Sequence, residues 1–132
     1  MDEQIEEGLR KGIREFNDEA FFEAHDTLED VWMDVRGDER LFFQGLIQLS
    51  IGYYHLTCEN FTGADHLLTR GLQKLKKYPS LTCNVHLDPL LEQTGRTLEG
   101  VRQTLAGHPL SFWTFPKIAS EGLPVDSVGK GG

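Results

Sequence analysis

His25 and Glu29 stand one helical turn apart in the run FFEAHDTLEDVW, so on a helix their side chains are neighbours. An imidazole beside a carboxylate can act as a general base with its orienting partner. The same pair can supply two ligands to a divalent cation such as Zn²⁺, Mn²⁺ or Fe²⁺. Further along, Gln44, Gln48 and His55 fall within a sector of roughly 40° at 100° per residue, forming one polar stripe on a helix. His55 is then the third candidate metal ligand, with Gln48 or water completing the shell. Arg36 and Arg40 flank the short link between the two segments, where Gln44 or a carboxylate can meet them. The chain has no HExxH, no repeated ExxH, no glycine-rich phosphate loop and no nucleophile elbow, so none of the common signatures of helical metal enzymes or hydrolases reinforces the set. Cys58 follows His55 by three residues, and a free cysteine in an apolar stretch is ordinarily a packing residue.

Five helices are expected to position these groups. Ile5, Leu9, Ile13 and Phe16 share one face of a first helix over 3–16. Asn17 or Asp18 can cap a second helix reaching Arg36, with Gly37 at its left-handed terminus. On that helix Phe21, Ala24, Leu28, Val31, Trp32 and Val35 fill one arc. Glu23, Asp26, Asp30 and Asp34 fill the opposite arc, which reads as a solvated face. His25, Glu29 and Arg36 fall inside the apolar side. A third helix over 39–58, capped by Asp38, carries no Asp, Glu, Lys or Arg from Leu41 to Cys58 and is expected to be central and contacted on all sides. A fourth follows Asn60 and ends before Pro79, with Lys76 and Lys77 favourable at its C-terminus. Asp88 and Pro89 start the fifth, which ends near Gly107 with Leu90, Leu91, Thr94, Leu98, Val101 and Leu105 as its buried stripe. Residues 80–86 read as a loop, and period-2 alternation is absent, so strands are not expected. The aromatic run LSFWTFPKI (110–118) reads as a non-helical strap whose Phe112, Trp113 and Phe115 pack against the core or a second copy. The domain spans 1–118, and 119–132 reads as a mobile tail. Aligning Asn17 with Asn60 gives a faint internal echo of stacked helical hairpins.

The chain is one all-α domain by length, 132 residues, large enough to bury a full core. Its net charge of −8 argues against nucleic acid or an anionic membrane as a non-specific partner, since both need a basic face. No apolar run is long enough to span a membrane, and the acidic N-terminus lacks a secretory core. Cys58 and Cys83 lack CxxC spacing, so a cytoplasmic protein with reduced thiols is expected. His66, His86 and His108 read as ordinary surface residues.

Several separated motifs occur in order: Asn17, then Phe22–His25 (FEAH within AFFEAHD), Glu29 and Trp32, then Gly37, Arg40 and Gln44–Gln48 (QGLIQ), then Tyr54–Leu56 (YHL), then Asn60, Gly63–Ala64 and Leu67–Leu68. Together they resemble domain-of-unknown-function family 309, closely over residues 3–78 and less specifically beyond. Asp26 stands where that family commonly has Glu. The resemblance implies a small all-helical bundle and implies no activity.

The expected function is therefore a binding module, for a small molecule or a partner, with a polar cluster of His25, Glu29, Gln44, Gln48, His55, Arg36 and Arg40 between the second and third helices. One alternative is a metal-dependent hydrolase-like enzyme using His25, Glu29 and His55. The other is a scaffold or homodimer in which the cluster is only a satisfied buried network.

Overall fold

The computed structural model describes residues 1–110 and 112–122. Five helices follow in chain order: α1 (Glu3–Asn17), α2 (Phe21–Trp32), α3 (Glu39–Thr57), α4 (Phe61–Leu75) and α5 (Leu87–Leu105). The all-α class holds, with a small antiparallel sheet added: β1 (Leu81–Thr82), β2 (Val85–His86) and β3 (Ala119–Ser120), in the order β1-β2-β3. Among the described residues no helix is long and apolar enough to cross a membrane.

The strands correct the expectation of none. Each is two residues long, too short for alternation to register in a sequence. The β1–β2 turn is made by Cys83 and Asn84, both with positive φ (51° and 62°), which is the type I′ geometry that suits a two-residue hairpin. The usual Asn-Gly signal is missing, so the loop concealed it. Of the expected mobile tail, Ala119 and Ser120 pair with His86 and Val85; residues 123–132 lie outside the described residues.

Helix ends also differ from expectation. Asn17 does not cap α2; it closes α1, and Ala20 stands at the N-terminus of α2 without a side-chain cap. The Asn17 amide instead clamps the strap: its Nδ2 donates to the Ile118 carbonyl at 3.1 Å and its Oδ1 accepts from the Ile118 amide at 2.7 Å. The strap is non-helical as expected, with Pro116 and Ile118 buried but Phe112 exposed. α2 stops at Trp32, four residues before Arg36. α5 starts at Leu87, one residue ahead of Asp88, because the β2 strand runs straight into it; its C-terminal Leu105 is exposed rather than buried.

The internal echo is real but its register is 40 residues, not 43. Glu19 and Glu59 both adopt left-handed backbone (φ 62° and 59°). Each closes a helix with paired 6→1 and 5→2 bonds: Ala20 N to Glu15 O and Glu19 N to Phe16 O, and Asn60 N to His55 O and Glu59 N to Leu56 O. Phe21 and Phe61 then open the next helices. Gly12 faces Leu28 as Gly52 faces Leu68; a Cβ at either glycine would meet the leucine side chain at 2.5 Å and 2.8 Å. Thus α1–α2 and α3–α4 are two hairpins built alike. They stack with α2 against α3, and α5 packs on α4. The core runs through the stack: Tyr53 of α3 meets the rings of Phe16, Phe21 and Phe115 and bonds Thr94 of α5 at 2.8 Å.

Candidate functional site

The seven expected site residues divide into three groups. The first is on α2. His25 Nδ1 lies 3.3 Å from Asp26 Oδ1 and His25 Nε2 lies 3.9 Å from Glu29 Oε1. The Nδ1 contact lacks hydrogen-bond geometry, and that atom is buried with no other partner. The His25 side chain is 20% exposed, while Asp26 and Glu29 stand in solvent. One ligand atom from each of the three lies within 4.8 Å of the others. Asp26 was missed in the sequence because the wheel places it with the wet face; adjacency to His25 and the i, i+3 spacing to Glu29 were the available signal.

His55 belongs to a second group. The Asn60 amide donates to His55 Nδ1 at 3.3 Å, so the ring carries its proton on Nε2. The same Asn60 accepts from the Gly63 amide at the start of α4. A Cβ on Gly63 would approach the His55 ring at 3.0 Å. His55 therefore braces the α3–α4 turn. It is not a member of the group of possible ligands that holds His25 and Glu29 among the described residues, so the expected three-residue set does not assemble. Between the two lie Phe22, whose ring meets both His25 (5.6 Å) and Tyr54 (5.2 Å).

Arg36 and Arg40 form the third group, at the C-terminal end of α2. Arg40 Nη1 donates to the carbonyls of Trp32 (3.0 Å) and Val35 (2.8 Å), and its guanidinium lies 4.0 Å from the centre of the Trp32 ring. Arg36 donates to the carbonyls of Met33 and Val35. A helix ending leaves its last carbonyls unpaired. Here Arg40 reaches the Trp32 carbonyl and both arginines reach carbonyls just past the helix end, and a cation at a helix C-terminus is also favoured by the helix dipole.

The α3 stripe corrects a further expectation. Gln44, Gln48, Ile51 and His55 are part exposed, and Leu41 is exposed. α3 is central, but it is covered on two sides and behind rather than all round. α2 packs on the side of Phe43 and Tyr54, and α4 on the side of Gly45, Leu49 and Gly52. The uncharged stripe is thus the open front of α3. Of the exposed large apolar side chains, Phe22 (44%), Met33 (62%) and Leu41 (43%) border this front. Its flanks differ in sign. From Phe21 to Val35 the only charged side chains are Glu23, Asp26, Glu29, Asp30 and Asp34, all exposed. From Phe61 to Tyr78 they are Arg70, Lys74, Lys76 and Lys77, with Asp65 engaged by Arg102 at 3.1 Å.

The two thiols differ. Cys58 is exposed at the end of α3. Burial pushes the Cys83 thiol up to about 11, with Glu39 adding to the shift, so at neutral pH it is a protonated, unreactive group.

No match was found among curated proteins. Residues 9–67 match the model of a family described as Domain of unknown function (DUF309). That segment runs from within α1 through α2 and α3 into α4, and so contains both hairpin turns, the His25 cluster and the α3 stripe. Over that segment the chain is similar to the family that the order of its motifs resembles.

Proposed function

We propose that this protein is a binding module that docks a macromolecular partner on the open α2–α3–α4 face. One observation carries this reading: a part-exposed, uncharged α3 stripe lies between an acidic helix and a basic one, with Phe22, Met33 and Leu41 exposed along it. An exposed apolar strip rimmed by charge is the usual anatomy of a docking surface. The small-molecule form of the reading has less support, since His25 and its carboxylates lie at the surface rather than around an enclosed cavity. A photo-crosslinking amino acid at position 51, compared with position 96 on the exposed side of α5, tests the proposal in cells. An adduct at 51 and none at 96 is expected. Equal yields at both positions, or none at 51, would sink it.

A second reading is favoured by the three convergent ligand atoms of His25, Asp26 and Glu29 and by the unpartnered His25 Nδ1. In it the α2 cluster holds a divalent cation through nitrogen and carboxylate oxygen, with water completing the shell. Calorimetric titration with Mn²⁺ or Zn²⁺ is expected to show one ion per chain. His25→Ala removes a direct ligand, so it should weaken binding by more than the roughly 10-fold that losing a ligand's outer support costs. Identical heats for the parent and His25→Ala would exclude the cluster. The hydrolase-like alternative built on His25, Glu29 and His55 gains nothing, because the latter residue is engaged elsewhere.

A further inference from the structure

The open face carries a pattern that distinguishes one kind of partner from others. Suppose a second copy docks on it about a two-fold axis parallel to α3. Residues of the α3 stripe then lie on the axis and meet their own copies. Any charge there would face an identical charge, which costs several kcal/mol in a desolvated contact. A stripe that faces itself must therefore be uncharged, whereas a stripe that faces a different protein has no such constraint. In a chain of net charge −8, α3 has no Asp, Glu, Lys or Arg from Leu41 to Cys58, although Gln44, Gln48, Ile51 and His55 are part exposed and Leu41 is exposed.

The flanks make the same selection. Rotation about an axis parallel to α3 carries α2 of one copy over α4 of the other, and does so twice. The acidic helix then lies on the basic one at both edges. An axis across α3 would instead set α2 on α2, acid on acid. Axial levels also agree. Phe21 beside Tyr53, and Arg40 over Trp32, place Asp26 and Glu29 beside the Gly45–Gln48 stretch of α3. Leu75 against Gly45, and Leu68 against Gly52, place that same stretch beside the α4 segment just before Leu75, where Arg70 and Lys74 stand. Rotation about an axis parallel to the helices preserves level, so Asp26 and Glu29 come opposite Arg70 and Lys74 of the partner copy. The face is large enough: three helices spaced about 9 Å apart and about 18, 28 and 22 Å long present roughly 620 Å², at the lower end of the ~600–1,000 Å² per partner of a standard interface.

We infer that the occupant of the α2–α3–α4 face is a second copy of this chain, docked in parallel about a two-fold axis along the α3 stripe. The inference rests on the docking-face reading above and names its partner. In the dimer each Gln48 side chain lies beside its own copy on the axis, and the acidic α2 edge of each copy covers the basic α4 edge of the other.

Sedimentation of the full chain tests it. The expected mass is twice the 15.0 kDa of the chain. Gln48→Arg places two like charges on the axis and should raise the dissociation constant by about 100-fold or more, with the thermal transition of the dilute, monomeric chain unchanged. Glu29→Lys and Lys74→Glu should each weaken self-association, because each sets like charges opposite one another where residues 29 and 74 meet at both edges. An equimolar mixture of those two variants should associate again, because each contact then pairs opposite charges. A monomer at 100-fold above any working concentration, a dimer that survives Gln48→Arg, or two charge variants that fail to rescue each other would overturn the inference. If the chain is monomeric but the probe at position 51 captures a different protein, the second-copy assignment falls and the docking face stands. If neither self-association nor an adduct at 51 appears, both fall.

Discussion

Tyr53→Ala should lower the free energy of unfolding by about 3–5 kcal/mol, and denaturant unfolding followed by far-ultraviolet circular dichroism measures it. Tyr53 is fully buried where four elements meet: its ring packs on Phe16 of α1, Phe21 of α2 and Phe115 of the strap, and its hydroxyl bonds Thr94 of α5. Truncation leaves a cavity that no neighbouring side chain can fill without breaking another contact. Tyr53→Phe keeps the packing but strands the Thr94 hydroxyl, and should cost about 1–2 kcal/mol. The two variants also differ in pH dependence. Burial pushes the Tyr53 phenol up to about 12 from its ordinary 10.0, against the lowering effect of its bonds to Thr94 and Thr97. Above pH 10 the unfolded chain releases this proton and the folded chain keeps it, so unfolding is favoured as pH rises. The stability is fully present below pH 10 and is lost between there and pH 12. Two pH units of displacement correspond to about 2.7 kcal/mol at the limit. Tyr53→Phe should remove most of that alkaline slope. A parent and a Tyr53→Phe variant with the same slope between pH 10 and 12 would contradict the burial of the phenol. The half-buried Cys83 thiol, pushed up from 9.0 to about 11, adds a slope beginning near pH 9, which Cys83→Ser isolates.

Gly71→Val should be the most damaging single change at the α3–α4 contact, with Gly71→Ala costing about 1–3 kcal/mol. The two helices cross where Gly45 and Gly71 face each other. A Cβ on Gly71 would sit 2.6 Å from a Leu49 methyl and 3.0 Å from the Gly45 carbonyl oxygen. The leucine can turn away; the backbone oxygen cannot, so the helices must separate along a contact that continues to Gly52 and Leu68. Gly95 provides the control. A Cβ there meets nothing within 4 Å, and it lies inside α5, so Gly95→Ala should stabilise by about 0.5–1 kcal/mol through helix propensity alone. Thermal melts of the three variants side by side would show opposite signs for the two alanine substitutions. A Gly71→Ala variant as stable as the parent would mean that α3 and α4 are further apart than the contact distances state.

The left-handed residues explain why the hairpin repeat was hard to see. Glu19 and Glu59 occupy positions where glycine is usual. Without a glycine to mark the helix end, Asn17 and Asn60 looked like the corresponding caps and set the alignment three residues out. Only Asn60 is a cap. Asn17 is freed for a contact with Ile118, a residue 101 positions away, which no local pattern can announce.

The sequence by itself determined the helical class, five helical segments to within a few residues, the acidic face of α2, the absence of charge on α3 and the family motifs. These follow from periodicity and local chemistry, which act within a turn or two of chain. Tertiary structure alone decided which polar stripes are covered and which stay open. A wheel fixes the angle of Gln44, Gln48 and His55 about their own axis, but not which angles a neighbouring helix covers; that depends on where α2 and α4 cross α3, and their crossing leaves this stripe open. The same packing leaves His25 with its helix neighbours Asp26 and Glu29, sets His55 against Asn60, and turns Arg36 and Arg40 onto the carbonyls at the end of α2 and just beyond it. Whether two side chains meet is set by the packing of whole helices, whose energy is spread over many apolar contacts. Residues that share a chemistry in the sequence need not share a site in the fold.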